Sequence, residues 1–214
     1  MKITKALKKI PSHIYLFFGI FLFIFVFPLI DKNSIFDFFG PLSYSIIILS
    51  IISIIEKRRS KQIRWLYGLV FLSLSFIWIM YFSQTNLINV ISFLFNITIF
   101  ISTSIIMIRQ IIASKEVDTK VVMEVINGYL LVGVMFTLTN TLLWELDHTS
   151  LNIPSAEFSN FVYYSFITLT TIGYGDISPQ TEWTKMASIL FGLSGQLYLT
   201  IIVAFIIGKF LNKK

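Results

Sequence analysis

The sequence contains no cysteine and few charged residues. Without cysteine there is no disulfide framework and no thiolate metal site, and two isolated histidines, His13 and His148, offer no metal cluster. Charged residues make up 13% of the 214 residues, whereas hydrophobic residues make up 56%, and the mean hydropathy is +0.81. These values are far from those of a soluble domain and predict an integral membrane protein.

Long apolar runs set the expected architecture. Six of them are long enough to cross roughly 30 Å of hydrocarbon as helices. They cover residues 14–30, 38–55, 65–82, 87–108, 121–144 and 186–210. A further apolar segment, residues 158–170, is too short to cross and suits a re-entrant helix. The sequence therefore predicts an all-α integral membrane fold with six transmembrane helices and one re-entrant helix, without an internal repeat.

The distribution of charge predicts the orientation, because short cytoplasmic loops collect Lys and Arg. With the N-terminus inside, fifteen of the seventeen basic residues lie on the cytoplasmic side, and only Lys32 and Lys185 lie outside. Seven of the eleven acidic residues are then external. We expect a multi-pass protein of the cell membrane with both termini in the cytoplasm. The net charge of +6 reflects this topology and contact with anionic lipid, and no nucleic-acid motif is present.

A short glycine-containing segment between the last two apolar runs carries the strongest functional signal. Residues 171–176 read Thr-Ile-Gly-Tyr-Gly-Asp. An ion that leaves water needs oxygen ligands in place of its hydration shell, and rings of backbone carbonyls supply them. Gly173 and Gly175 permit the backbone angles that aim successive carbonyls at one axis, and Thr171 adds a side-chain oxygen. The spacing suits a backbone that coordinates potassium.

Residues 168–176, Thr-Leu-Thr-Thr-Ile-Gly-Tyr-Gly-Asp, resemble the pore signature of tetrameric potassium channels of the six-transmembrane, one-pore-loop type, with Ile172 where valine is more usual. The resemblance covers roughly the last third of the chain in motif detail, and upstream only the topology is similar. It implies a K⁺-selective filter, with K⁺ coordinated by its first four residues. The filter residues are Thr171, Ile172, Gly173, Tyr174 and Gly175.

The same resemblance implies supporting roles around the filter. Tyr163 and Tyr164 occupy positions where the family often has aromatic residues that pack on or hydrogen-bond the filter strand, Asp176 included. Asp176 is expected at the outer mouth, where it braces the strand or attracts incoming cations. Thr170 ends the short helix, whose negative dipole end favours a cation in the cavity below the filter.

Two expectations concern the ends of the pore helices. Glu157 or Ser159 is expected to cap or favour the N-terminus of the short helix. On the last helix, Gly195 lies where the family commonly has a hinge glycine. A residue without Cβ in a membrane helix also allows close packing, so hinge and packing are both open from the sequence.

One filter strand cannot encircle an ion, so four copies of the chain are expected to assemble as a homotetramer around a common axis. The resemblance implies passive K⁺ conduction without a cofactor, with other copies, membrane lipids and the permeant ion as partners. No nucleophile–base pair, phosphate loop or paired carboxylates indicate an enzyme. A less selective cation channel and a nonconducting membrane scaffold or regulatory subunit are the alternatives.

The front of the chain differs from a voltage sensor. We divide the sequence into a four-helix module, residues 1–116, and a pore module, residues 117–214. A voltage-sensing fourth helix needs several arginines at helical spacing, but residues 87–108 contain no charge, and Arg109 follows them alone. We expect weak or absent voltage gating. The Ser, Thr and Asn residues of this run are expected to pair between helices, with a ligand site as the alternative.

Overall fold

The structure of the protein, a computed structural model, describes residues 12–30, 39–55, 64–83, 86–114 and 116–211. Phe38, at the start of the second predicted span, lies outside these residues. So do most of the basic residues that predict the orientation, including those at both termini.

The described residues form helices along almost their whole length. In chain order these are α1 Ser12–Phe21, a π-helical segment Leu22–Val26, α2 Phe27–Ile30, α3 Phe39–Ile55, α4 Arg64–Ser83, α5 Asn86–Ala113, α6 Thr119–Leu146, α7 Phe158–Leu169 and α8 Glu182–Leu211. The β-structure in the described part of the chain is one isolated antiparallel bridge between Leu151 and Pro179. The expected all-helical class is confirmed.

Three helices in the described ranges are long and apolar enough to cross a membrane. They are α5, counted from Leu87 to Ala113, α6 and α8, with mean hydropathies of 2.1, 1.9 and 2.1. Two shorter apolar helical stretches cover His13–Leu29 and Trp65–Ile79. The chain is thus a helical membrane protein with three candidate spans in the described ranges, and the six-span topology stays a prediction.

The π-helical segment between α1 and α2 has a local cause in Pro28. A proline inside a helix has no N–H to donate, and its ring collides with the carbonyl four residues earlier. Here Phe27 N–H donates to the carbonyl of Leu22, five residues back. This wider turn accommodates the proline, so the first apolar run stays helical from Ser12 to Ile30.

Helix α6 is the central packing element of the fold. It contacts α1, α5, α7 and α8, while α1 also packs on α3, and α4 packs on α3 and α5. Two glycines of α6 admit aromatic rings from its neighbours. A Cβ at Gly128 would overlap the Tyr198 hydroxyl, and one at Gly133 would overlap the Phe166 ring. The small residues therefore set how closely α8 and α7 approach α6.

Polar side chains in the front helices are mostly satisfied inside the chain. Ser73 on α4 donates to Asn96 Oδ1 on α5 at 2.6 Å, and Asn96 Nδ2 donates to the carbonyl of Ser92 at 2.8 Å. Thr103 donates to the carbonyl of Ile99 at 2.7 Å, within its own helix. Such bonds remove the cost of placing hydroxyl and amide groups among apolar neighbours.

Candidate functional site

The short helix α7 ends at Leu169, directly before the filter strand, residues 171–175. Its 12 residues extend about 18 Å at 1.5 Å per residue, too little to cross the hydrocarbon. Glu157 stands at the N-cap position, but its side chain accepts no cap hydrogen bond, and Ser159 Oγ points to Glu157 Oε2 at 3.4 Å. Glu157 is thus at the N-cap as expected, whereas the side-chain hydrogen bond of a cap is absent from both residues. At the other end, Thr170 N–H donates to the carbonyl of Phe166 at 3.0 Å, which closes the last turn.

The backbone after α7 alternates in handedness. Thr171, Gly173 and Gly175 have φ of +62°, +53° and +82°, and Thr171 is the non-glycine residue with positive φ among those described. In a regular strand successive carbonyls point to opposite sides. Alternating positive and negative φ cancels that reversal and lets successive backbone groups converge. A left-handed threonine is uncommon and carries strain that its surroundings must hold in place.

Hydrogen bonds hold the lower part of the filter strand against α7 and α8. Gly173 N–H donates to the carbonyl of Ile167 at 3.0 Å, and Thr171 N–H donates to the carbonyl of Thr168 at 3.1 Å. The hydroxyl of Thr171 accepts a bond from Gln196 Nε2 at 3.2 Å. The strand is thus attached by its N–H groups, which leaves its carbonyl oxygens for other ligands.

The free side of the filter strand is open. Residues 171–176 are all exposed, and the side chains of Ile172 and Tyr174 are 56% and 73% exposed. This side of the strand therefore has no cover among the residues that the structure describes.

Asp176, at the outer end of the strand, is held by Tyr163. The Tyr163 hydroxyl donates to Asp176 Oδ2 at 2.7 Å, and this bond lowers the pKa of the Asp176 carboxyl. The neighbouring Tyr164 is directed elsewhere. Its hydroxyl lies 2.6 Å from Ser188 Oγ on α8, and since that serine donates to the carbonyl of Thr184, Tyr164 is the donor. The two tyrosines thus bind the outer loop and the inner helix separately.

The loop before α7 is hydrogen-bonded to the segment that follows the filter. Asn152 and Ser178 exchange hydrogen bonds, with Asn152 N–H donating to the carbonyl of Ser178 at 3.2 Å and Asn152 Oδ1 accepting from Ser178 N–H. Thr184 on α8 donates to the carbonyl of Ser150 at 2.8 Å. These residues hold the exit of the filter, and sequence reasoning missed them because their partners lie 26 and 34 positions away.

Gly195 places α8 directly against the end of α7. A Cβ at this buried residue would lie 2.6 Å from the carbonyl oxygen of Leu169 and 2.7 Å from Leu169 Cδ1, whereas at Gly192 and Gly208 it would meet nothing within 4 Å. The same carbonyl lies 3.4 Å from the Tyr129 hydroxyl of α6. Helix α8 is continuous through this point from Glu182 to Leu211. The glycine is a close-packing position, and its hinge role stays a prediction.

Lys209, near the C-terminal end of α8, contacts the C-terminal end of α5. Its Nζ lies 2.9 Å from the carbonyl of Ile112 and 3.3 Å from that of Ile111, and it also contacts Ser114. The last carbonyls of a helix lack the usual intrahelical donors and carry partial negative charge, and Ser114 also donates to that of Ile111. The Lys209 ammonium group on α8 therefore caps the C-terminus of α5.

The chemistry offered by the site is that of oxygen ligands. No group of three or more His, Cys, Asp or Glu side chains that could hold a metal occurs among the residues that the structure describes. Backbone carbonyls and a threonine hydroxyl suit hard monovalent cations, not redox metals.

Comparisons with known proteins find similarity to ion channels. Residues 125–212 match the family described as "Ion channel". The chain is 27% identical over 112 residues to "Potassium channel K2" of Plasmodium falciparum, which covers 50% of this chain and 8% of that protein. It is 36% identical over 66 residues to "Two-pore potassium channel 5" of Arabidopsis thaliana, covering 31% of this chain and 16% of that protein.

A third relative is the "Hyperpolarization-activated voltage-gated potassium channel" of Methanocaldococcus jannaschii, 34% identical over 73 residues, or 33% of this chain and 34% of that protein. The chain thus spans from 8% to 34% of the length of these three relatives. No solved structure matches it significantly.

These similarities indicate a channel and not an enzyme. Residues 125–212, which contain α7, the filter strand and α8, match the ion channel family, and the three similar proteins named above are potassium channels.

Proposed function

We propose that the protein is a potassium-selective channel that conducts K⁺ passively down its electrochemical gradient. The alternating backbone of Thr171, Gly173 and Gly175 carries this proposal. In it, oxygens of Thr171, Ile172, Gly173 and Tyr174 replace the hydration shell of K⁺, with Gly175 completing the filter. The names of the relatives, all potassium channels, support the choice of ion.

The functional unit is a homotetramer. One strand presents carbonyls from one side only, so four are needed to surround an ion. Burial supports this assembly, because 67% of the most apolar window of α6 is buried within the chain and only 17% of that of α8. The uncovered faces of α8 and of the filter strand are where neighbouring copies pack.

The remaining helices form a scaffold around this pore. We propose six membrane crossings, in the cell membrane, with both termini cytoplasmic and lipid around α1 to α5. Arg109 is the charged side chain of α5, and it is exposed, so little charge moves when the membrane potential changes and voltage dependence is weak or absent. Residues 1–116 and 117–214 are the scaffold and the pore module.

The test is reconstitution of the purified chain in liposomes, with current recorded against voltage under a K⁺ gradient and with Na⁺ substituted on one side. A reversal potential that follows K⁺ supports the selective pore. Current without preference between the ions favours the nonselective alternative. Absence of current from a protein that runs as a tetramer by crosslinking favours the nonconducting scaffold.

A further inference from the structure

A cavity of about 240 Å³ lies between the front module and the pore module. Its walls come from α2, α3, α4, α5 and α6 and from the first residue of α7, and aromatic rings form much of them. These are Phe27, Tyr44, Phe93 and Phe158. The size is slightly below the range of ~300–1,000 Å³ usual for small-molecule sites and suits one aromatic ring with a short substituent.

Two polar atoms at this cavity have no hydrogen-bond partner among the described residues. Tyr44 Oη and Asn89 Oδ1 are buried and make no hydrogen bond in the part of the chain that the structure describes. They contrast with Asn96, also in the wall, which bonds both Ser73 and Ser92. Buried polar groups are nearly always paired, and an exception calls for a ligand or water that fits it.

The cavity also contains a carboxylate. Glu145, near the end of α6, forms part of the wall and is half-buried. The ion pairs among the described residues join Lys120 to Glu124 and Lys185 to Glu182, so neither involves Glu145. A carboxylate beside aromatic faces attracts an organic cation through charge and through the electron-rich ring faces.

We propose that this cavity binds a small organic ammonium ion, a protonated primary amine on an apolar body about the size of one aromatic ring. An ammonium group has three N–H donors and no acceptor. The wall offers three kinds of acceptor for it, the Glu145 carboxylate, the amide oxygen of Asn89 and the hydroxyl oxygen of Tyr44. The aromatic walls take the apolar body.

The site is separate from the filter and its occupancy does not depend on conduction. Phe158 is both a wall of the cavity and the first residue of α7, so an occupant contacts the helix that leads to the filter.

Binding of benzylamine and of its neutral analogue benzyl alcohol to the purified full chain in detergent tests the proposal, measured by ligand-observed NMR titration. In the Glu145→Gln variant we expect the dissociation constant of benzylamine to rise about tenfold, while that of benzyl alcohol is unchanged. Glu182→Gln, an exposed carboxylate away from the cavity, is the control and keeps both values. Equal binding of amine and alcohol, unaffected by Glu145→Gln, overturns the proposal, as does no benzylamine binding by the folded wild type.

The absence of cysteine permits a second test that leaves Glu145 intact. A thiol in the Asn89→Cys variant attacks a methanethiosulfonate, forming a mixed disulfide and releasing methanesulfinate. We expect the 2-aminoethyl reagent to react at least about tenfold faster than the 2-sulfonatoethyl reagent, relative to an exposed Ser155→Cys control. Benzylamine slows the reaction at Asn89→Cys only. Equal rates for the two reagents, or no protection, contradict an ammonium site.

Discussion

Polar groups in α5 and in the filter strand are satisfied in opposite ways. In α5, Thr98 donates to the carbonyl of Leu94 at 2.8 Å, and Thr103 to that of Ile99 at 2.7 Å. Thr171 in the filter instead has left-handed backbone, and its hydroxyl accepts from Gln196 on another helix. Threonine hydroxyls in α5 are thus used to bond the backbone of their own helix. The Thr171 hydroxyl lies beyond the end of a helix, where it is available to ligands. Helical continuity, more than composition, separates α5 from the filter strand.

The largest effect is expected from the filter glycines. No atom lies within 4 Å of a Cβ built at Gly173 or Gly175, so in Gly173→Ala or Gly175→Ala the harm comes from the positive φ, about 1–2 kcal/mol for each copy. We expect conduction or K⁺ selectivity to be lost in the liposome assay. Gly68→Ala is the matched control, since this α4 glycine also has open space but lies in an ordinary helix, where alanine is favoured.

Normal selective current from both filter variants would remove the distinction between the two regions and with it the filter assignment. A current that survives with altered ion preference would keep the assignment and show that backbone strain sets selectivity.

The next effect separates close packing from hinge motion in α8. In Gly195→Ala the new methyl group meets the carbonyl oxygen of Leu169 at 2.6 Å, so α7 and α8 must move apart, at about 1–3 kcal/mol. We expect a lower melting temperature in detergent together with reduced current. Gly192→Ala, three residues earlier with open space, keeps both. Unchanged melting of Gly195→Ala with a channel that no longer opens would favour the hinge.

Helical runs were predictable because they follow from local composition. The runs 121–144 and 158–170 became Thr119–Leu146 and Phe158–Leu169, since continuous apolar sequence fixes a membrane helix within a few residues. The alternating glycines likewise marked an irregular backbone. These features depend only on residues that are close together in the sequence.

Side-chain partners across the fold were not predictable. Nothing local distinguishes Tyr163, which binds Asp176, from Tyr164, which binds Ser188, because the choice depends on the rotation of α7. Glu157 occupies the expected N-cap position, and its carbonyl accepts the bond from Asn160 N–H, but its side chain makes no cap hydrogen bond. The cavity beside Asn89 forms where five helices and the start of α7 meet, and periodicity in apolar helices does not fix which polar side chains meet there.

A smaller effect is expected at the outer end of the filter, where pH separates the two tyrosines. The Tyr163 bond lowers the pKa of Asp176, so the carboxylate and its brace are present above the ordinary pKa and are lost as pH falls through the lowered one. In Tyr163→Phe the pKa rises toward ~3.9, and we expect external acid to reduce current at a higher pH than in the wild type. Tyr164→Phe, which loses the bond to Ser188 instead, leaves this pH dependence unchanged. Equal acid sensitivity in all three proteins would contradict the brace.

The smallest effect is expected at the C-terminal end of α5, where two cations have different environments. Arg109 is exposed, whereas Lys209 lies 2.9 Å from the carbonyl of Ile112 and 4.4 Å from the centre of the Phe205 ring. Lys209→Gln removes the charge that complements the helix end, about 0.3–1 kcal/mol. We expect a modest change in open probability with an unchanged reversal potential.

Arg109→Gln is expected to change neither open probability nor K⁺ selectivity in the same recordings. If Arg109→Gln shifted the voltage dependence strongly while Lys209→Gln did not, α5 would be a moving sensor and not a fixed scaffold. Because a single charge that crosses the whole field is worth ~2.3 kcal/mol per 100 mV, even one moving arginine would give a shift large enough to detect. The comparison of these two cations therefore decides whether the front module responds to the membrane field or only supports the pore.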